Sequence, residues 1–527
     1  MATVASRRPP SDWARSVAGT RLLDAGGLLL LVAVSLLLRT SELKVSFWID
    51  EGLSVGIASH PLFDIPGLLV QDGSPPLYYM LLHGWMDLVS DRVVDVHWFS
   101  VLWALLCIPD AWWTGTTVFD RLTGWLFAVL VALCPFLTDY AQEGRMYSLV
   151  ALLGIATLGF FLNAYLRGRR GFRIPFGIAL ALLIYTHNWG LFLGFSMAVC
   201  IAIMWTALPR GGPQRPRLLK DALLGFGIAA VLYLPWVPTF LEQLQHTGAP
   251  WSDRPSFNTL VHAADLVTGS FGATMTIVLA GGVGLAALWR SDRFDRRVTI
   301  PCLLVVTILP VLIPWVASQA SPAWATRYLA IAVGPLLLLA AVGLRRAGWL
   351  GIVASGLLVI MFATAGAPSW KTNVAEVSGA LSPELKAGDA VVVTQPEMVP
   401  VLSYYLKDNI DPATLRVVTP LGADDDLGIT DWRDGVDRLD STTASDALMP
   451  ALAKVPVGGH ALLMRPIIAE ESHWKAPWTS RVRDRSIEYE GILRGDPRFE
   501  LAAIVPSDVD SPGPNPAQGL LFTKVHD

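Results

Sequence analysis

Two adjacent acids, Asp50 and Glu51, lie in Phe47-Trp-Ile-Asp-Glu-Gly52, just beyond the first long apolar run of the chain. A carboxylate at such a boundary has two chemistries open to it. Partial burial raises its proton affinity toward neutral pH, so that it can deprotonate a hydroxyl nucleophile. Its oxygens can also hold a divalent cation. The same pair suits the start of a helix, where acids offset unpaired N–H groups. Two arginines, Arg145 in Gln142-Glu-Gly-Arg145 and Arg327 in Thr326-Arg-Tyr328, stand at the ends of other apolar runs. Their planar guanidinium groups suit a phosphate oxyanion, and snorkelling toward the headgroups accounts for such arginines as well. His83 and His187 are isolated, and a hydrogen bond to nearby backbone is the first role to consider for each.

The elements that must position these residues are membrane helices. The chain has 527 residues, of which 53% are hydrophobic and only 16% charged, whereas a soluble domain carries roughly 25% charge. Mean hydropathy is +0.48, and there are 20 tryptophans. So few charges cannot shield that much apolar surface from water. The same figures exclude a disordered chain, a collagen-like fibre and a disulfide scaffold. Cys107, Cys134, Cys200 and Cys302 all fall inside apolar runs, so neither a disulfide framework nor a cysteine zinc site is implied. Arginines cluster in short stretches without forming a nucleic-acid-binding domain. The N-terminus is basic (Arg7, Arg8, Arg15, Arg21), and the first apolar run leads into Arg39-Thr-Ser-Glu42 rather than a small-residue cleavage site. This reads as a retained first helix.

A spanning helix needs about 20 mostly apolar residues. Runs near 22–39, 97–113, 124–140, 146–166, 173–187, 190–208, 221–239, 271–289, 298–317, 328–344 and 347–367 predict about eleven spans. Basic loops at Arg167–Arg173, Arg210–Lys220, Arg290–Arg297 and Arg345-Arg346 are each two runs apart, so all four share one side, the cytoplasmic side by the positive-inside rule. Residues 77–90 are apolar but only about 14 long, short for a span. A crossing there would reverse the parity of the Arg167 loop. The segment is therefore expected to be an interfacial or re-entrant helix in a long outer loop, 40–95, with Tyr78, Tyr79 and Trp85 at the headgroup level.

After residue 368 the composition becomes soluble. Ala390–Thr394, Leu415–Thr419, Ala461–Met464, Phe499–Val505 and Leu520–Val525 read as strands, and Val399–Lys407 as a helix packed on their sheet. The expected organisation is a cytoplasmic segment, 1–21, a helical membrane module, 22–367, and an extracytoplasmic α/β domain, 368–527. On this map Asp50, Glu51, Tyr78, Tyr79, His83, Gln142, Glu143, Arg145, His187, Arg327 and Tyr328 all fall on the outer face.

Taken in order, Asp50-Glu51, SPPLYYMLLHGW at 74–85, QEGRMYSL at 142–149, YTHNWG at 185–190 and TRYLA at 326–330 resemble the lipid-dependent glycosyltransferases of the GT-C fold. Within it the likeness is to the broad group containing the protein O-mannosyltransferases and the lipid A aminoarabinose transferases, over roughly residues 20–345. Gly144 stands where such proteins often have alanine. The resemblance implies inverting transfer of a sugar, mannose-like or another hexose or pentose, from a polyprenyl-phosphate donor. The acceptor would be a cell-envelope glycan, lipid or protein on the outer face of the plasma membrane, in a bacterium by the style of the sequence. It implies Asp50 as base with Glu51 beside it, and Arg145, Arg327 and Tyr328 at the donor phosphate. Gln142, Glu143, Tyr78, Tyr79, His83 and His187 would line the substrates. Many members of the fold use a divalent cation such as magnesium or manganese and others do not; here Asp50 and Glu143 would hold it. The large sugar-binding insertion of the protein O-mannosyltransferases is missing, which favours a glycan or lipid acceptor.

The competing reading is a transporter or flippase for a lipid-linked sugar. It predicts charges at mid-helix, broken helices or internal repeats. The sequence instead places its carboxylates at helix ends, and no repeat is evident.

Overall fold

The computed structural model describes residues 11–291, 294–366, 371–468, 471, 474–507 and 515–527. Arg7, Arg8, Arg293 and the 367/368 boundary lie outside the described residues.

The apolar runs fold as helices, the one structure that pairs every backbone polar group within a single segment. Among the described residues, eight helices are long and apolar enough to cross a membrane: Arg21–Leu38, Val93–Val118, Tyr147–Leu166, Gly190–Ala207, Gln214–His246, Phe271–Ser291, Arg296–Ala317 and Thr326–Arg346. Arg121–Leu133 and Pro135–Ala141 meet at a bend of 49° and make a ninth if taken as one span. Pro135 supplies the break, since it has no N–H to continue the helix. By length and composition alone the described helices thus give eight or nine candidate spans, against about eleven expected from the sequence. The runs near 173–187 and 347–367 form the helices Arg173–Thr186 and Trp349–Ala363, of 14 and 15 residues. At 1.5 Å per residue these are about 21–23 Å long, short of a hydrocarbon core of about 30 Å. Leu22, Leu23, Leu29, Leu30, Ile352 and Ile360 are exposed, as lipid-facing side chains must be.

One end of the bundle gathers basic residues. Arg167 donates to the Val118 carbonyl, Arg345 Nε lies 3.5 Å from Asp120, and Arg170 and Arg173 pair with Asp221. Further along the bundle, Arg39 ends the first helix and is wholly buried. It donates to the carbonyls of Ala104 and Val131, each at 2.7 Å, and so ties three helices together.

The long loop 40–95 contains three helices, Ile49–Ala58, Ile65–Asp72 and Leu77–Leu88. The last was expected to set Tyr78 and Tyr79 at the headgroup level. Both are instead fully buried, with Tyr78 against Phe99 and Tyr79, while Trp85 donates to the Asp95 carbonyl at 2.8 Å. The segment packs on protein, because the loop folds back over the bundle.

Among the described residues the C-terminal part holds one six-stranded sheet of β1 (Ala390–Val393), β2 (Arg416–Thr419), β3 (Gly422–Ala423), β4 (His460–Pro466), β5 (Phe499–Val505) and β6 (Ala517–Lys524). Its order is β3-β2-β1-β4-β6-β5, with β1 parallel to both β2 and β4 and the other pairs antiparallel. Alternation along the strands sends Val391, Val393, Leu462, Met464 and Leu521 into a core continuous with that of the membrane helices. Val392, Leu463, Leu520 and Phe522 face the other way, against Leu448, Leu452, Tyr489 and Leu493 of the helices Ala444–Ala453 and Pro477–Gly495. Burial on both faces explains why the central strands read as unbroken apolar runs.

The helix expected on this sheet, Val399–Leu406, packs chiefly on the Ile49–Ala58 helix. The approach is backbone to backbone. A side chain at Gly52 would strike Val401, and one at Gly56 would strike Gly428. Two glycines four residues apart thus let the C-terminal domain seat directly on the helix that carries Asp50.

Candidate active site

Asp50 sits in the first turn of the Ile49–Ala58 helix, at whose entry the Trp48 N–H donates to the Glu51 carboxylate at 3.3 Å. Successive helical residues point about 100° apart. Asp50 and Glu51 therefore face different surroundings.

Asp50 lines a cavity of about 270 Å³ together with Trp48, Asp72, Ser74, Arg145, Trp251, Arg327 and Tyr328. Its Oδ2 lies 3.1 Å from Arg327 Nη2 and 3.9 Å from Arg145 Nε. Arg145 also donates from Nη1 to the Asp50 carbonyl at 3.1 Å and to Ser54 Oγ at 2.9 Å. The Arg327 guanidinium stands over the rings of Trp251, Trp48 and Tyr328, at 5.1, 5.6 and 5.7 Å. Nε of both arginines is buried without a hydrogen-bond partner. A buried donor left unpaired is costly, so two such donors beside one carboxylate form a site prepared for an anion.

Glu51 points the other way and is fully buried. It accepts from Gly144 N–H at 2.6 Å and Lys371 Nζ at 2.8 Å, and lies 2.6 Å from His97 Nε2. Burial opposes its ionisation, but Lys371 and His97 overcome that and hold its carboxyl down at about 2. Glu51 is thus a fixed anion that joins four segments: its own helix, the Val93–Val118 helix, the Gln142–Met146 turn and the start of the C-terminal domain.

The other residues singled out in the sequence divide by position. Gln142 is buried, and its side chain bridges Glu42 N–H (2.6 Å) and the Thr138 carbonyl (3.1 Å). Glu143 keeps Oε1 buried and unpartnered. Burial, only partly offset by Lys371, pushes its carboxyl up to about 7. His187 packs on Tyr328 with ring centres 4.7 Å apart and accepts from Trp189 N–H at 3.1 Å. Burial, with Arg145 and Arg327 nearby, lowers it to about 3, so it is neutral. His83 is remote from the cavity; it bonds the Ala58 carbonyl at 2.8 Å and approaches Asp87 at 3.3 Å. Asp50, Arg145, Arg327 and Tyr328 therefore share one cavity, Glu51, Gln142, Tyr78 and Tyr79 pack behind it, and His83 lies elsewhere.

No protein-family model matches this sequence, and no curated protein matches it. Solved structures do. ArnT from Cupriavidus metallidurans in the apo state superposes with a TM-score of 0.62 at 15% identity, over 95% of this chain and 98% of that one. The same protein bound to undecaprenyl phosphate gives 0.60 at 16%, over 94% and 98%. The archaeal oligosaccharyltransferase AglB from Archaeoglobus fulgidus, in complex with an inhibitory peptide and a dolichol-phosphate, gives 0.52 at 11%, over 96% and 89%. The chain has the GT-C fold.

In this GT-C chain the donor set does not fit a divalent cation. Among the described residues no group of three or more His, Cys, Asp or Glu side chains converges as a metal site. Asp50 already faces two guanidinium groups, and the cation that acts most strongly on Glu143 is Lys371. These fixed positive charges oppose a dication between the two carboxylates.

Asp72 and Ser74 line the GT-C cavity from the first outer loop. Gln395, Glu397, Trp432, Thr479 and Asn515, which were not singled out in the sequence, line it from the C-terminal domain. His97 and Lys371 hold Glu51 behind it. An ionisable residue at the end of an apolar run was the available signal for His97. The residues beyond 390 meet Asp50 only through tertiary structure, which no local pattern records.

Proposed function

We propose that this chain is an inverting glycosyltransferase that takes a sugar from a polyprenyl-phosphate donor and passes it to a hydroxyl of a cell-envelope acceptor, on the outer face of the membrane. The observation that carries the reading is the placement of one carboxylate, Asp50, between two arginines whose Nε donors are buried and unpaired, in a cavity of a GT-C membrane protein. Arg145 and Arg327 bind the lipid phosphate and stabilise the charge that grows on it as it leaves. Asp50 accepts the proton of the attacking hydroxyl. Drawing the arginines toward the phosphate frees Asp50 from its ion pairs as the donor arrives. A likeness to structures holding undecaprenyl phosphate and dolichol-phosphate supports this donor class.

The test is turnover of labelled polyprenyl-phosphate sugars by purified wild-type protein and Asp50→Asn. Loss of lipid-linked sugar in wild type, abolished in a folded Asp50→Asn variant, is the expected result. Turnover unchanged by the substitution removes Asp50 as base. Movement of the lipid across a bilayer without its consumption replaces the transferase by a flippase.

A further inference from the structure

Residues 424–434 of the C-terminal domain run from β3 to the helix Gly435–Ser441 and contribute Trp432 to the lining of the Asp50 cavity. The segment is tied to the membrane module at both ends, each time through a histidine and an aspartate. Near its start, Asp426 lies 3.1 Å from Nε2 of His60, which follows the Ile49–Ala58 helix. At its end, Asp434 lies 3.1 Å from Nδ1 of His246, the last residue of the helix Val237–His246. Main-chain bonds join the second tie. Trp432 N–H donates to the Gln71 carbonyl at 3.0 Å, and Asp434 N–H to the His246 carbonyl at 2.7 Å. At the first tie, Gly428 approaches the His60 ring so closely that a side chain there would strike it.

The partners of each ring fix its protons. His60 Nδ1 faces the carbonyls of Gly56 and Ile57 at 3.0 and 3.3 Å, and Nε2 faces the Asp426 carboxylate. Carbonyls and carboxylates accept hydrogen bonds and do not donate. Both nitrogens must therefore carry hydrogen for both contacts to attract, which makes the ring an imidazolium. A neutral ring would turn a lone pair on one of these oxygens. His246 is placed alike, with Asp434 at Nδ1 and Glu242 Oε1 3.7 Å from Nε2.

Other charges stand around the two rings. His60 shares a cavity of about 330 Å³ with Asp411 and Asp425, which favour its charge, and with Lys407, which opposes it. The Leu77–Leu88 helix brings His83 and Asp87, 3.3 Å apart and paired with each other. Arg433, beside Asp434, is itself paired with Asp431 at 2.9 Å. The bond to Asp426 outweighs burial and raises the proton affinity of His60. Its stabilising effect is complete below pH 6.5 and is lost as pH rises through the raised value. Burial, with Asp426 and Asp425 adjacent, pushes the Asp424 carboxyl up to about 6. Rising pH thus adds an anion to the segment while His60 loses its charge.

We propose that residues 424–434 form a pH-operated strap beside the Asp50 cavity, latched at both ends by imidazolium–carboxylate pairs and released as pH rises. Release frees Trp432 from the cavity lining. The strap goes beyond the transferase reading and does not depend on which substrate the cavity takes.

Hydrogen exchange of the full-length protein in nanodiscs, from pH 5.5 to 8.0, tests the strap. Protection factors, corrected for the pH dependence of intrinsic exchange, are read for peptides covering 424–434. The β1 and β4 peptides of the same domain serve as the internal reference. The amides of Trp432 and Asp434 bond the membrane module, so their peptides report release directly. Wild type is expected to lose protection there about tenfold across the range, the weight of one charge-assisted hydrogen bond. The reference peptides keep theirs. The pair His60→Gln/His246→Gln retains a donor at each site without a titrating ring, and its slope is expected to fall to less than half. Asp426→Asn, which removes the first carboxylate, is expected to loosen the strap already at pH 5.5 and serves if the pair does not fold. Protection in wild type that is independent of pH overturns the strap, as does a slope undiminished in the paired variant. An equal loss in the reference peptides means that the whole domain opens, and overturns it too. No donor or acceptor enters the assay, so its outcome is separate from that of the transferase reading.

Discussion

Lys371 Nζ lies 2.8 Å from Glu51 Oε2, and it donates to the Gln142 carbonyl at the same distance. The first described residue of the C-terminal part thus neutralises the carboxylate next to Asp50 and holds the turn that carries Arg145. The charge pair does not touch the cavity, yet it fixes both of the cavity's main elements.

Removing one partner of this buried pair is expected to destabilise the protein by about 3–5 kcal/mol, because an uncompensated charge remains inside. Lys371→Met and Glu51→Gln each lower the thermal midpoint, and the double variant loses less than the sum of the two. A double-mutant cycle on thermal or denaturant unfolding checks this. Strict additivity rejects the coupling.

Asp50→Asn is expected to reduce transfer about 10²–10⁴-fold, the range of a general base. Donor binding remains measurable, since both arginines are kept. Turnover and binding of the labelled donor, measured on one preparation, separate the two effects.

Arg327→Ala is expected to weaken donor binding about tenfold or more, as a charge-assisted hydrogen bond to the phosphate is lost. Arg327→Lys recovers only part of this, because an ammonium restores the charge without the planar fork. Affinity for the polyprenyl phosphate without its sugar is the direct readout. Full recovery by lysine rejects a bidentate contact.

Stability should vary with pH through Glu143. Its carboxyl rises from 4.5 to about 7 on folding, so the folded protein holds the proton more tightly than the unfolded chain. The stability this contributes is fully present below pH 4.5 and is lost as pH rises through 7. Glu51, held down at about 2, acts in the opposite sense, and its contribution is lost as pH falls from 4.5 toward 2. Unfolding profiles from pH 4.5 to 7.5 for wild type and Glu143→Gln test the first statement. The glutamine variant is expected to lose the downward slope with rising pH.

Gly52→Val or Gly56→Val is expected to cost about 1–3 kcal/mol by overpacking against Val401 or Gly428. Either also lowers turnover, since a shift of about 1 Å in a reacting group can cost 10²-fold. Gly67→Ala, whose new methyl group meets nothing, is the control and is expected to be neutral or slightly stabilising. Unfolding and turnover measured together distinguish a displaced Asp50 from simple destabilisation.

Asp50, Arg145 and Arg327 stood out in the sequence because isolated charges at the ends of apolar runs are conspicuous. The structure brings them to one cavity. Glu51 was inseparable from Asp50 on paper, since adjacency does not state which way each points. One turns to the cavity and the other to His97 and Lys371. The strands β1, β2, β4, β5 and β6 were legible as β-branched runs between turn residues. The span count was not, because a hydropathy window sees neither the break at Pro135 nor a helix that stops at 14 residues. Trp432 and Gln395 became part of the site only through the seating of Val401 and Gly428 on two glycines.

That seating has a consequence for anyone wishing to exchange parts between proteins of this fold. A cut near residue 370 looks like a natural joint, where hydrophobic chain gives way to soluble chain. A foreign C-terminal domain grafted there would arrive without the partner for Glu51 and without backbone shaped to Gly52 and Gly56. Chimeras that alter specificity must therefore transplant the Ile49–Ala58 helix along with the domain, or confine the exchange to the five cavity-lining residues. The joint in the sequence is not a joint in the molecule.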